Sequence, residues 1–497
     1  MKLVVKDMDI ATGGPRIVTL NYQDAKLYDL HHNDRILITF GNKKTMAIVD
    51  IGESSKAVPP GKIGMFEEVL YDLQVRGGNI VAIALAEKPE SVRYIKQKLD
   101  GKQLTCHEIC VIVQDIIEGR LSDIELTYYV AANYAFGMSD KEIVALTEAM
   151  IATGRKLPKL AKIVVDKHCI GGVPGNRTSL GVVPILAAAG LTVPKTSSRS
   201  ITSPAGTADS MEVLANVSFG RTKLISLLKK THACMVWGGA VDLAPADDTI
   251  INVEHPLSID AEGQLLASIM AKKGSVGATH ILIDIPVGPG TKVETMEHAQ
   301  HLKKKFEELG HFLNMHVKIV VTNGREPIGN GIGPALEARD VMWILKNHPN
   351  QPLDLRRKII QMAGMLLEMT GKAKPGQGNV VAEDLVHTGK AYEKMWEIIK
   401  AQGAKIKQLD DIRFGRYTWD YCAPKSGRVR EIQNASVAKI ARVAGCPQDK
   451  GAGLYLYKHC GDAVQKGEKI FTLYAQTKEK REYAKKMLAV FDGFVIR

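Results

Sequence analysis

The sequence predicts an α/β protein in which a helical domain and a large α/β domain are flanked by β-rich domains at both ends. Three observations predict it. Three helix-start signals fall close together in 103–154, continuous apolar runs alternate with helical periodicity from 162 to about 420, and both termini show short apolar–polar alternation broken by glycine. The boundaries drawn from these changes are 1–85, 86–158 (joined by about 247–275), 159–420 and 421–497.

The first segment reads as strands: "LVVKDMDI", "RIVTLNY", "RILITFG" and "TMAIVDIG" alternate in side-chain character with Gly, Asn and Asp between them. In the second, "TCHE", "SDIE" and "SDKE" place Thr105, Ser122 and Ser139 three residues before Glu108, Glu125 and Glu142. A hydroxyl can accept from a free first-turn N–H there, and the glutamate can reach back. In the third, "KIVVD", "HILIDIPVG" and "VKIVVTNG" are uninterrupted apolar strands, as in a sheet covered on both faces. "DAEGQLLASIMAKK", near 260–273, is helical and is expected to return to the helical layer. After Tyr417 the texture is β-rich again, as in "GDAVQKGEKIFTLYA".

Composition excludes little by itself. A chain that is 45% hydrophobic and 24% charged is globular, and its net charge of +12 fits nucleic acid, a membrane surface or a small anionic substrate. Aromatic residues make up only 6%, and no aromatic-plus-basic motif stands out, so nucleic-acid binding is not expected. Seven cysteines in so long a chain are no disulfide framework, and Cys106, His107 and Cys110 lack a second ligand pair, so no metal is expected. "MKLVVKDMDI" is no signal peptide, and the apolar run 180–194 contains prolines and falls short of the roughly 20 residues of a membrane span. A cytoplasmic protein with no membrane partner is the expectation.

Two loops carry the chemistry. "DKHCIGGVPGNRTS" runs from an apolar strand through a glycine turn into a helix. Ligands of α/β sheets bind beyond the carboxyl ends of strands, where this loop puts Asp166, Lys167 and His168. Gly171, Gly172 and Gly175 let the backbone approach an anion, and Lys167 adds a full charge. The pattern is neither a Walker loop nor a dinucleotide fingerprint, and a tight structural turn is the alternative. The second loop, "KTSSRSITSPAGTADSMEV", crowds Ser197, Ser198, Ser200, Thr202, Ser203 and Thr207 around Arg199, whose guanidinium can grip an oxyanion through two parallel hydrogen bonds. Together the loops suggest two anionic groups on one substrate set. Lys292, after a strand end and a glycine turn, is a further contact candidate.

Taken in order, "DKHCIGGVPGNRTSL" and "SSRSITSPAGTADSMEVL" resemble the thymidine/pyrimidine nucleoside phosphorylase family, from about residue 79 to the C-terminus. Asp166, Lys167, His168, Gly171, Gly172, Arg199, Gly206, Thr207, Asp209 and Glu212 match its pattern. Cys169 stands where the family has a phosphate-binding serine, Ile170 replaces threonine, and no arginine follows Leu243 where the family holds the pyrimidine. With its extra N-terminal domain, the chain is most similar to the archaeal branch acting on nucleoside 5′-monophosphates. The resemblance implies a fold of the nucleoside phosphorylase/phosphoribosyltransferase type. It also implies phosphorolysis of AMP to adenine and ribose 1,5-bisphosphate, with CMP and UMP as further candidates. Inorganic phosphate is then a co-substrate and no cofactor is needed. Asp260 becomes the proton donor to the base, with Lys167 and His168 as the other catalytic candidates. Nucleotide contacts map to Gly172, to Ser198, Arg199, Ser200, Ile201, Thr202 and Ser203, and to Thr207, Ser268, Lys272 and Lys292. A homodimer formed through helices, or a larger homo-oligomer, is also implied.

The chemistry agrees with this reading. Breaking an N-glycosidic bond leaves cationic character on the sugar and negative charge on the base, and a general acid neutralises the latter. Asp260 could equally cap the helix that follows it. The rivals are a pyrimidine nucleoside phosphorylase, a magnesium-dependent phosphoribosyltransferase and a basic nucleic-acid-binding protein.

Overall fold

A computed structural model describes residues 1–200, 203–241, 243–257, 259, 261–488 and 493–497. It divides into two units, Met1–Gly154 with Ala244–Ile269, and Arg155–Leu243 with Met270–Arg497.

The first unit begins with a closed six-stranded barrel. Strands β1 (Lys2–Asp7), β2 (Ile17–Asn21), β3 (Arg35–Phe40), β4 (Lys43–Gly52), β5 (Lys62–Met65) and β6 (Ile80–Leu85) pair in the order β1-β5-β2-β4-β3-β6. Their alternation sends Val18, Leu20, Ile36, Ile38, Val49 and Ile63 inward with no exposed surface, and closure leaves no open sheet edge. Two short helices, α1 (Tyr22–Leu27) and α2 (Glu67–Leu73), accompany it. Four longer helices follow: α3 (Glu90–Leu99), α4 (Cys106–Ile117), α5 (Asp123–Phe136) and α6 (Asp140–Thr153). Thr105, Ser122 and Ser139 cap the last three, each in a reciprocal bond pattern with its glutamate. Buried Glu142 does more than cap, accepting from Lys98 Nζ at 2.7 Å and Leu104 N–H at 2.9 Å. Helix α10 (Pro245–Leu257) packs on α4, α5 and α6.

The second unit holds a parallel sheet. Strands β7 (Val165–Cys169), β10 (His280–Val287) and β11 (His316–Asn323) pair in the order β11-β10-β7, and β8 (Val193–Ser197) pairs with β9 (Ala233–Trp237). An isolated bridge between Val164 and Thr192 ties the two sets together. Helices α7 (Thr178–Ala188), α8 (Thr207–Leu214), α9 (Arg221–Thr231), α11 (Glu262–Ser275) and α12 (Met296–Phe312) lie between these strands in the chain. Helix α7 is buried from Thr178 to Ala187 and apolar on every side, as a helix enclosed in a core must be. A second helical group covers it: α13 (Pro334–Leu345), α14 (Leu353–Met369), α15 (Gly378–His387) and α16 (Lys390–Ala401).

The C-terminal part is β-rich but carries two helices that the sequence reading does not contain. The two-residue strand β12 (Gly331–Ile332) forms the edge of a four-stranded sheet with β13 (Tyr417–Cys422), β15 (Gly453–Leu456) and β17 (Lys469–Ala475), ordered β12-β15-β17-β13. A second sheet joins β14 (Gly427–Ile432), β16 (Ala463–Val464) and β18 (Phe494–Ile496). The two helices are α17 (Asn434–Val443) and α18 (Lys478–Leu488). Among the described residues no helix is long and apolar enough to cross a membrane.

Candidate active site

The glycine loop leaves the carboxyl end of β7, and pleating divides its charged residues between two faces. Asp166, fully buried, accepts from Lys195 of β8 at 3.2 Å and from Lys273 of α11 at 3.1 Å. On the other face Lys167 lies 3.6 Å from Asp284 of β10 and donates to Thr178 at the start of α7. Asp284 also accepts from Lys358 at 3.0 Å and Thr322 at 2.6 Å. Among the described residues each carboxylate is thus shared by two lysines, with one positive charge in excess on each face. Buried charges are ordinarily paired, so this arrangement favours negative charge nearby.

The titration behaviour follows from that surplus. Burial, reinforced by Lys273 and opposed by Asp166, pushes Lys195 down to about 8. Burial also lowers Lys167, with Asp284 opposing. His168 is driven well below the usual imidazole range by burial and by the surrounding lysines, so it is neutral at physiological pH. Cys169 is pushed up to about 11 by burial and by Asp284, and Asn176 donates to its sulfur at 3.3 Å. It therefore offers a neutral thiol where the family pattern has a hydroxyl.

Two glycines are required by packing. Gly172 has φ +98°, and a Cβ there would lie 2.6 Å from Thr291 Cα and 2.7 Å from the Lys292 nitrogen. Gly175 has φ +77°, and its Cβ would strike the carbonyl of Ile328. The loop is pressed against the turn that follows β10, and this places Gly172 beside the backbone of Lys292. A Cβ on Gly172 would part them.

The serine loop leaves β8 and is pinned by Asp209, which accepts from Ser200 N–H at 2.8 Å and Gly206 N–H at 2.9 Å. In this structure the fork of Arg199 is taken by a carboxylate. Its two parallel hydrogen bonds run to Glu212, at 2.6 and 2.9 Å, and its guanidinium lies 5.0 Å from the Trp237 ring centroid. Lys450 reaches Asp209 at 3.0 Å and Glu212 at 2.9 Å. Arg199, and after it Lys450, hold Glu212 at about 2 against burial. Two cations face two carboxylates, so this cluster is neutral and Arg199 braces the loop. The hydroxyls of Ser200 and Ser203 likewise donate within the loop, to the carbonyls of Ser203 and Ala205.

Arg177, which sequence reasoning missed, joins the two loops. It donates to Glu337 of α13, to the Ala205 carbonyl at 2.6 Å and to Thr207 at 3.5 Å. Glu337 also accepts from Ser210 at 3.1 Å and Gly333 N–H at 3.1 Å. Lys195, Lys273, Asp284 and Lys358 were missed too. The available signal was Asp284 inside the otherwise apolar run "HILIDIPV", because a carboxylate there must find cations. Ser268 and Lys272 fall four apart on one face of α11, each half-buried. Ile201, Thr202 and Asp260 lie outside the described residues.

A cavity of about 540 Å³ adjoins both loops. Gly172, Pro174, Ser203 and Gly290 line it, and so does α17, through Asn434, Ala435, Ala438, Lys439, Arg442 and Val443.

Comparison with known proteins follows this architecture. Residues 92–154 match the glycosyl transferase family helical bundle domain, 161–392 the glycosyl transferase family a/b domain, and 428–490 the pyrimidine nucleoside phosphorylase C-terminal domain. The chain is 43% identical to an AMP phosphorylase of Methanocaldococcus jannaschii, over 99% of this chain and 96% of that one. It is 45% identical to an AMP phosphorylase of Pyrococcus furiosus, over 97% and 95%. A putative thymidine phosphorylase of Albidiferax ferrireducens is 41% identical over 100% and 95%. Among solved structures, anthranilate phosphoribosyltransferase from Thermus thermophilus shares the fold at a TM-score of 0.53 and 18% identity, covering 62% of this chain and 98% of that one.

Proposed function

The chain belongs to the thymidine/pyrimidine nucleoside phosphorylase family, and on that premise we propose that it is a pentosyltransferase that splits AMP with orthophosphate into adenine and ribose 1,5-bisphosphate. The observation that carries phosphorolysis is the buried cluster behind the glycine loop, where, among the described residues, Lys167, Lys195, Lys273 and Lys358 share Asp166 and Asp284. Orthophosphate at the mouth of the glycine loop supplies negative charge to the face that carries Lys167 and Lys358. Relatives named AMP phosphorylase, alike over nearly the whole chain including the barrel, support a nucleotide as the partner substrate.

In this reading the lysines hold orthophosphate below the sugar, where its charge stabilises the developing oxocarbenium ion before the new bond forms. Neutral His168 cannot add a further positive charge against the sugar. Asp260 is the proposed proton donor to the departing base, a role that rests on the resemblance. Asp260→Asn should cut turnover by about 10²–10⁴-fold while AMP and phosphate still bind, measured by steady-state kinetics and calorimetry; unchanged turnover removes it from the chemistry. Phosphate is a co-substrate, and no resident cofactor or metal is required. CMP and UMP are further candidate substrates. We place the enzyme in the cytoplasm as a homodimer or larger homo-oligomer. The exposed apolar side chains Leu99, Ile124, Tyr128, Tyr134 and Phe136 on α3 and α5 support a helical subunit contact.

The relatives named putative thymidine phosphorylase favour a second reading, cleavage of nucleosides. Incubating the protein with phosphate and either AMP or thymidine, and assaying free base, decides between them. Thymidine cleaved with AMP untouched overturns the first reading.

A further inference from the structure

We propose that the outward face of α17 holds the esterified phosphate of the substrate, and that Lys439 and Arg442 make the enzyme prefer a nucleotide to a nucleoside. The inference rests on the phosphorolysis reading above and deepens it.

The sequence of α17 builds two faces. Val437, Ile440, Ala441 and Ala444 are buried in the core of the C-terminal sheets. Ala435, Ala438, Lys439 and Arg442 are spaced three, one and three residues apart and share the opposite side. That side forms one wall of the 540 Å³ cavity, whose other lining residues include Gly172 and Ser203 from the two loops. The two alanines leave room, the two long side chains bring positive charge, and no carboxylate is among the described lining residues. The volume suits a small organic anion.

Two further observations favour an esterified phosphate over free orthophosphate. The buried lysine cluster already provides a seat for one anion, and none of its lysines lines this cavity. The serine loop brings hydroxyls, but the fork of Arg199 is engaged by Glu212, so the cationic partner for a second phosphate has to come from elsewhere. Asn434 adds a contact suited to sugar. Its amide donates to the Gly324 carbonyl at 2.7 Å, which fixes its orientation, while its buried Oδ1 has no hydrogen-bond partner and can accept from a hydroxyl. An arginine fork and a lysine on one helix face recognise a phosphate monoester by bidentate and point-charge contact respectively.

The test uses the full chain with Lys439→Ala, Arg442→Ala, the double variant and Arg442→Lys. Both positions are exposed, so the fold should survive. In the double variant the preference for AMP over uridine, as a ratio of kcat/KM, should fall about 10- to 100-fold, mainly through the KM for AMP, with Arg442→Lys recovering part of it. Losses of equal size for AMP and uridine overturn the proposal, as does a rise in the KM for phosphate in place of that for AMP. Calorimetric titration with ribose 5-phosphate gives an independent readout. Should the wild-type protein cleave no nucleotide, the reading of its activity fails, and this titration alone decides the subsite. Binding lost in Arg442→Ala upholds it, and binding unchanged overturns it.

Discussion

Two charged clusters of similar make-up sit behind the two loops, and they differ in balance. Behind the glycine loop four lysines share two aspartates; behind the serine loop Arg199 and Lys450 meet Asp209 and Glu212 one for one. A balanced cluster is already complete and fixes a backbone. An unbalanced one in a buried place is held at a cost until a ligand completes it. A cation in a loop rich in hydrogen-bond donors does not by itself mark a binding group; its neighbours within about 4 Å decide.

Three experiments sharpen or break that contrast. The largest effect is expected for Lys167→Met, which keeps the bulk and removes the charge while Lys358 still pairs Asp284. The catalytic efficiency with phosphate should fall about 10²–10³-fold in initial-rate assays. An unchanged KM for phosphate would take Lys167 out of the pocket. Next comes pH. Lys195, at about 8 in the free protein, attracts an anion only when protonated. The inhibition constant of sulfate, whose own charge is constant in this range, should therefore rise about tenfold between pH 7 and pH 9. A flat profile would mean that the cluster does not feel the anion. The same depression has a stability consequence of opposite sense. The unfolded chain binds the extra proton between about 8 and the ordinary lysine value, so this group's contribution to stability rises with pH through that window. The smallest effect is expected at the balanced cluster. Glu212→Gln should cost about 1–3 kcal/mol, seen as a lower Tm, with the KM for phosphate little changed. A KM that moves while Tm does not would show the serine loop to be a binding group after all.

Much of the fold was legible because local physics announced it. The three capping boxes mark helix starts that the structure shows with both reciprocal bonds formed, and the uninterrupted apolar runs are the parallel strands β7, β10 and β11, of which β10 is central and β11 a half-exposed edge. Helix α17 was not read from the sequence, although Val437, Ile440, Ala441 and Ala444 have helical spacing, because it begins after Gln433 with no side-chain cap to announce it. The glycine loop could be seen, since Gly172 and Gly175 adopt backbone angles that other residues rarely take. Its charge partners could not. Lys273 lies 107 residues from Asp166, and pairing over such distances leaves no local trace. The partner of Arg199 was hidden for a nearer reason. Glu212 is thirteen residues on, but only the turn into α8 brings it back within reach.

Arg177 gives the arrangement its grain. One guanidinium ties the end of the glycine loop, the carbonyl of Ala205 and the first turn of α13 together. An engineer seeking a new substrate would gain nothing by altering it, because the two loops would loosen together and the yield of folded protein would suffer before selectivity moved. Freedom to retune this catalyst lies at its rim, on surfaces the central staple does not hold.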